Sequence, residues 1–383
     1  MPTTSVYGIT YPASTDLVTD GASQMGTIST GFDTAIQKAV STNDGRNWVD
    51  NPEFEINYRN SQTITASTTG YIADRWIWQV ASATATFSRS TISLGTTGLD
   101  SSLTRGAIVQ TTVSSLAAAS VYFQQLIDAV ERLANRTVIL SFYAKAATGT
   151  PNIGARLVQN FGTGGAPSAE VATALQTKVL STSWVRYSMT FTLPSVSGKT
   201  LGTNNDDATR IEIWTSGGSG SAGSAVGHQL NTIDITGIQL ETDYLTSYEL
   251  RYDWVDVGRC SRFFQTSYQD SIWLLAGGAG AASAIGKIQL AGSTNGSGVM
   301  YWPHKFAVIM QRVPTMRFYT QSTGVVGSWD YARSGASGTQ TVSTSIPSGN
   351  AANGFLLVNT ASLGALWVAA EIQGHWTASI DGW

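Results

Sequence analysis

Residues Gly70–Val80 read GYIADRWIWQV. The stretch gathers two tryptophans, a tyrosine, two isoleucines and a valine around one Asp-Arg pair. Three readings fit it: the floor of a binding groove, half of an active site, or a core strand entered from a turn. Periodicity separates them. In DRWIWQV, Trp76, Trp78 and Val80 fall on one face of an extended chain, with Ile77 and Gln79 on the other. A face of two indoles and a valine suits a core, where each Trp buries a large apolar area. Asp74 and Arg75 stand at the strand entry, after a Gly-Tyr turn, where an ion pair or a turn hydrogen bond can set the register. The expectation is a core strand and not a catalytic centre.

The 383 residues are 42% hydrophobic but only 12% charged, where about 25% is usual. The polar surface must therefore come from Ser, Thr, Asn, Gln and Gly, a composition that favours short strands and turns. The net charge of −3 provides no basic field for a nucleic-acid backbone, so no nucleic-acid partner is expected. Cys260 is the single cysteine, which leaves no intrachain disulfide and no Cys-based zinc site. MPTTSVYG lacks the basic flank and apolar run of a signal peptide. The longest uncharged apolar stretch, Ser271–Gly286, is too short and too rich in Gly, Ala and Ser to span a bilayer. A soluble chain made in a reducing cytoplasm, without membrane insertion, is expected.

Three zones follow, at 1–46, 47–252 and 253–383. In the first, Met25, Ile28, Phe32, Ile36 and Ala39 recur at helical steps. Asp16 can cap this helix and Asn43-Asp44-Gly45 can end it. Its single apolar stripe has no partner within its own zone. It either lies on the next domain or joins a two- or three-stranded bundle between subunits. Gly21, Gly26 and Gly31 weaken it by roughly 1 kcal/mol each, so it orders only against something else. The second zone alternates in TATFSRSTISL, RTVILSFYAKA, SWVRYSMTFTL, TRIEIWTS and NTIDITGIQLE. One helix is expected inside it, at VYFQQLIDAVERLAN, from the spacing of Phe123, Leu126, Ile127, Val130, Leu133 and Ala134, with Asp128 and Arg132 as an i,i+4 pair. Gly217–Gly227 reads as a surface loop. The third zone opens at VGRCSRFFQTSY and shows short apolar runs between turn signals, as in a β-sandwich. The expected fold is mainly β: a sandwich, then a second, smaller β-sandwich domain, preceded by an N-terminal helical segment.

No nucleophile, phosphate-loop or metal-ligating motif occurs, and His228, His304 and His375 each stand without one. The carboxylates available for a paired acid and base in the second zone are Glu53, Glu55, Asp74, Asp206, Asp207, Glu212 and Asp234. Glu53 and Glu55 alternate along one expected strand and would share a face. Nothing marks any pair as convergent, so no enzyme, metal or cofactor is expected. The aromatic residues are the more informative set. Sugar rings have apolar faces that stack on Trp and Tyr, and Tyr58, Trp78, Trp184, Trp214 and Trp302 are the candidates for glycan contact. Burial is the competing reading for each of them.

Several phrases, in their order, resemble bacteriophage structural proteins that carry a jelly-roll module of carbohydrate-binding type. They are NPEFEIN from Asn51, TGYIADRW from Thr69, VYFQQLIDAVERLANRTVILSFYAKA from Val121, and ITGIQLETDYLTSYELRYDWVDVGRCSRFFQ from Ile235. YWPHKFAVIMQRVPTMRF is similar to a phrase of the terminal β-domain of such proteins, and YGITYPASTDLVTDGASQMGTISTGFDTAI to the amino ends of minor tail and virion-fibre proteins. The resemblance implies a non-enzymatic virion component, made in the host cytoplasm. Its N-terminal segment would attach to other virion proteins or form a homotrimer through Met25, Ile28, Phe32 and Ile36. Its jelly roll would contact host cell-surface glycan, as in a tail fibre or receptor-binding protein. A capsid decoration or head-fibre protein is the alternative, and a glycan depolymerase a third. Jelly rolls of this type often hold a structural calcium between a first-strand Glu and last-strand acids. Glu55 fits the first position, but Thr236 and Gly237 occupy the others and Asp234 lies two residues early.

Overall fold

The computed structural model describes residues 20–41, 45–59, 64–66, 69–103, 107–267, 288–293, 301–320, 326–333, 336–344, 350–359 and 369–380. One helix, α1 (Gly21–Ser41), precedes the first sheet. That sheet comprises β1 (Ile64–Ala66), β2 (Gly70–Ala73), β3 (Trp76–Thr91), β4 (Ala107–Asp128), β5 (Thr137–Ala146), β6 (Asn152–Asn160), β7 (Val171–Ala172), β8 (Gln176–Val179), β9 (Val185–Thr192), β10 (Ala208–Gly217) and β11 (Asn231–Thr242). A second helix, α2 (Asp253–Ser261), leads to the second sheet.

The fold is mainly β, and β4 explains its shape. This strand has 22 residues. Its first part, at Val109–Val113, pairs with β11, and its last part, at Ser120–Asp128, pairs with β10. The order β7-β6-β10-β4-β11-β5-β9 therefore curls over itself into a sandwich. Its core is closed by Trp78, Phe87, Phe123, Phe142, Ile213 and Leu240. In β5, Val138, Leu140, Phe142, Ala144 and Ala146 all join this core, the alternate positions of an extended chain.

The opening stretch is a core strand, as expected. Trp76 and Trp78 are fully buried and Val80 joins them. Its entry differs from expectation. Gly70–Ala73 is itself a strand, and the turn is Asp74-Arg75, with Arg75 at a left-handed φ of 74°. Gly70 has to lack a side chain, because a Cβ there would run into the Trp78 indole. Asp74 and Arg75 each reach partners elsewhere in the chain. Asp74 meets Arg59 at 3.3 Å and accepts the Tyr58 N–H, whereas Arg75 meets Asp50 at 3.1 Å and donates to the Leu126 carbonyl.

The helix expected at VYFQQLIDAVERLAN is absent. Residues 121–128 are the end of β4, followed by a single 3-10 turn at Val130–Arg132. Val121, Phe123, Gln125 and Ile127 are buried and alternate with half-buried Tyr122, Gln124 and Leu126. The sequence satisfies both periods, and pairing decides between them: Phe123 lies opposite Trp78 on one side and Ile213 on the other. Tertiary contacts override the local preference. Asp128 then lies 3.9 Å from Arg262, and the helical i,i+4 geometry expected for it with Arg132 goes with the helix.

The second sheet contains β12 (Phe264–Thr266), β13 (Ile288–Ser293), β14 (Tyr301–Lys305), β15 (Thr315–Thr320), β16 (Ser328–Arg333), β17 (Ala336–Thr344), β18 (Asn350–Ala351), β19 (Gly354–Asn359) and β20 (Ala369–Ser379). β20 is its spine and pairs with β12, β13, β15 and β16. Phe306, Phe318, Trp329, Phe355 and Trp376 fill a separate core. α1 packs extensively on no other described element. Met25 and Phe32 are exposed, Ile28 is half-buried, and the side chain of Ile36 lies outside the described residues, as do Asp16 and Asn43-Asp44. No described helix is long and apolar enough to cross a membrane.

Candidate functional site

The sandwich takes most of the aromatic candidates into its interior. Trp78 is fully buried and packs edge-on against Phe87 at 4.3 Å. Trp184 sits in a small cluster with Leu103, Tyr143 and Tyr248. Trp214 stacks on Tyr122 at 4.2 Å and donates its indole N–H to Glu212 at 3.1 Å. The glycine loop closes over it, so that a Cβ on Gly223 would strike the indole. These three are corrected to buried residues: Trp78 on an inward strand position, Trp184 just before β9 in its own cluster, and Trp214 on the opposite face of β10 from Ile213, under the glycine loop. Tyr58 is half-buried against Phe264 and Tyr319. The Trp302 side chain lies outside the described residues.

The exposed rings are elsewhere. Tyr252 and Trp254 are 71% and 72% exposed. Their planes are 16° apart and their centroids 6.4 Å apart. An exposed indole is a large apolar area left in water, and such patches mark contact sites. Trp254 lies in the first turn of α2, and the buried side chain of that helix is Cys260, on its last turn. The rings flank a cavity of about 550 Å³. Two distant segments build it: NPEFEI (51–56) and LRYDWVD (250–256), with Ser102 at the edge.

Local geometry fixes the first segment as a turn and not as the strand expected from Glu53 and Glu55. Asn51 and Phe54 both adopt left-handed φ, at 50° and 54°. The Asn51 amide donates to the carbonyls of Ile56 (2.8 Å) and Asp74 (2.9 Å), while its oxygen accepts the Ile56 N–H at 3.0 Å. Trp76 donates its indole N–H to the Asn51 carbonyl at 2.8 Å. Thus the opening stretch supports this loop from beneath. Glu53 and Glu55 do meet in one place, as lining of the cavity.

The second segment is tied to the first through charge. Arg251 donates to the Asn47 carbonyl at 2.9 Å and pairs with Asp256 at 2.7 Å, and Asp256 accepts the Asn51 N–H at 3.2 Å. Below them Asp50 receives Arg259 at 2.6 Å and Arg75 at 3.1 Å. Burial pushes the Asp50 carboxyl up, but Arg75, Arg259 and Arg251 together hold it below the usual range. Glu53 goes the other way. Burial, reinforced by Glu55, Asp256 and Asp253, raises it to about 7, against the pull of the Tyr248 hydroxyl. That hydroxyl donates to Glu53 Oε1 at 3.0 Å. Burial also raises Asp256, which Arg251 partly offsets.

Among the described residues no group of three His, Cys, Asp or Glu side chains is arranged to hold a metal ion. Asp234 is engaged by Lys145 at 3.4 Å and by the Gln110 amide at 2.8 Å. Thr236 donates its hydroxyl to the Ala107 carbonyl at 2.8 Å. None of the three histidines lines the cavity. The signal for the site was present at Tyr252-Asp253-Trp254, where two aromatics flank an acid, but aromatic type alone does not tell exposed from buried.

Comparison with known proteins bears on the sandwich. Residues 95–209 match the family described as carbohydrate binding domain, a span from the loop after β3 to the start of β10. No curated protein matches the chain. Among solved structures, a family 11 carbohydrate-binding module from Clostridium thermocellum, in complex with a mixed-linked β-1,3-1,4 tetrasaccharide, is similar at 10% identity. That likeness covers 47% of this chain and 94% of the module, with a TM-score of 0.29. A CBM4 structure is similar at 16% identity over 41% of this chain and 87% of that one, with a TM-score of 0.26. The enzymatically active domain of bacteriophage CBA120 tailspike protein 4 is similar at 16% identity, with a TM-score of 0.31. There the likeness covers 51% of this chain but only 21% of the tailspike.

Proposed function

We propose that the protein is a non-catalytic glycan-binding component of a bacteriophage particle, a tail-fibre or receptor-binding protein that meets host-surface polysaccharide at the Tyr252–Trp254 cleft. The observation that carries this reading is the exposed, nearly parallel ring pair beside a cavity lined by four carboxylates, in a chain whose residues 95–209 are similar to a carbohydrate binding domain. A pyranose can lay its C–H face on Trp254, while Ser102 and the carboxylates take up its hydroxyls. Stacking and a few wet hydrogen bonds give a single-site Kd on the order of 0.1–1 mM. The order of the phage-like phrases supports the virion assignment, and α1, with Met25 and Phe32 exposed, supports attachment or trimer formation through the N-terminal segment. Three sites on one trimer would raise avidity by about 10²–10⁴.

A second reading, glycan cleavage, is favoured by one observation: Glu53 titrates near 7 in a cavity it shares with other carboxylates. One experiment separates the two. The full chain is incubated with host envelope polysaccharide while co-sedimentation and reducing ends are followed. Co-sedimentation that Trp254→Ala abolishes, without new reducing ends, is the expected result. Release of reducing ends would replace binding by cleavage, and no co-sedimentation would leave capsid decoration as the better reading.

A further inference from the structure

The cleft differs from a generic sugar platform in its charge. Glu53, Glu55, Asp253 and Asp256 all line it, and the cation among its lining residues is Arg251, already paired with Asp256. The chain as a whole is nearly balanced, with 22 basic and 25 acidic side chains. This concentration of carboxylates is therefore local. Glu53 provides a second, independent observation. Its residue is 8% exposed. Tyr248 satisfies Oε1, but Oε2 accepts no hydrogen bond from any described residue. It is also not among the fully enclosed unsatisfied atoms, and Glu53 lines the cavity. A carboxyl buried to this degree normally has its partners inside the protein. Here one oxygen is left for something that enters from the cleft.

We infer that the cleft is selective for glycans bearing free amino groups, with the sugar ring on Trp254 and its ammonium against Glu53. The inference rests on the glycan-binding reading above and adds the chemical class of the sugar. An ammonium donates three hydrogen bonds and no acceptor, which matches a pocket rich in acceptors. Burial strengthens the contact, because charge-assisted hydrogen bonds gain where water is excluded. The same field opposes uronic-acid and phosphate-bearing polymers, which would bring like charge to Glu55 and Asp253. The buried Glu53 carboxyl holds its proton until about neutral pH, and the arriving ammonium favours its ionised form.

The test is calorimetric titration of the full chain, at one pH near neutrality, with three oligosaccharides of equal length: a glucosamine oligomer, its fully N-acetylated counterpart and a galacturonate oligomer. The glucosamine oligomer should bind on the order of ten-fold more tightly than the acetylated one, the worth of one charge-assisted hydrogen bond, and the galacturonate oligomer most weakly. Glu53→Gln, which keeps the Tyr248 contact, should bring the ratio of the two affinities to about one, whatever it does to either affinity alone. If that variant does not fold, Asp253→Asn, at an exposed position, should reduce the same preference. Equal binding of amine and acetylated forms overturns the inference and leaves glycan binding standing. Equal binding of an oligolysine peptide overturns it too, since charge alone would then suffice. Binding of no oligosaccharide, or binding that Trp254→Ala does not weaken, removes the underlying reading of the site.

Discussion

The Arg75 guanidinium lies 3.2 Å from the centroid of the Phe263 ring. Arg75 belongs to the β2–β3 turn of the sandwich, and Phe263 to the core of the second sheet. A second arginine repeats the arrangement, with Arg59 between the Tyr71 ring at 3.8 Å and the Phe264 ring at 4.0 Å. Arg75 also supplies one of the cations that keep buried Asp50 ionised. Removing it takes away a desolvated cation–π contact and strips a buried carboxylate of one partner. Arg75→Ala should cost about 3 kcal/mol, since Arg259 remains on Asp50. Urea unfolding measures it. A loss under about 0.5 kcal/mol, the size of an ordinary surface change, would show that the contact is incidental.

Trp78 and Trp254 should behave as opposites. Trp78 is fully buried against Phe87, so Trp78→Ala should lower stability by about 3–5 kcal/mol. Trp254→Ala should leave stability within about 0.5 kcal/mol and weaken glycan binding. Thermal melts and co-sedimentation on both variants check this. A Trp78 variant that melts like the parent but no longer binds would reverse the assignment.

Glu53 should make stability depend on pH. Its carboxyl rises from 4.5 to about 7 on folding, so the folded state holds the proton more tightly. The stabilisation is complete below pH 4.5 and is lost as pH rises through about 7, amounting to about 3 kcal/mol. Parent and Glu53→Gln should therefore diverge across that window, with the parent losing stability relative to the variant as pH rises. A difference in unfolding free energy that stays constant with pH would refute a buried, protonated Glu53.

The helix α1 should be dispensable for the fold and needed for assembly. Cutting after Ser41 spares Gly45 and Arg46, whose contacts with Glu249 (2.6 Å) and Glu241 (3.4 Å) belong to the sandwich. The remainder should melt at the same temperature. Light scattering should give a trimer for the full chain and a monomer for the cut one. A monomeric full chain would remove the trimer.

Sequence alone determined the strands whose side chains alternate without competition. Val138, Leu140 and Phe142 could only be extended, because a period of two is a local property that folding does not change. It also determined the core character of Trp76, and the helical period of α1. At VYFQQLIDAVER both periods fit, and only the partners on β3 and β10 chose the strand. The cleft lay further out of reach. Glu53 and Tyr248 are 195 positions apart, and whether Trp254 faces water or core depends on how α2 leaves the sandwich. Residue type carries the chemistry of a ring or a carboxyl. Exposure, pairing and the raised Glu53 are properties of the neighbours that tertiary structure brings to it.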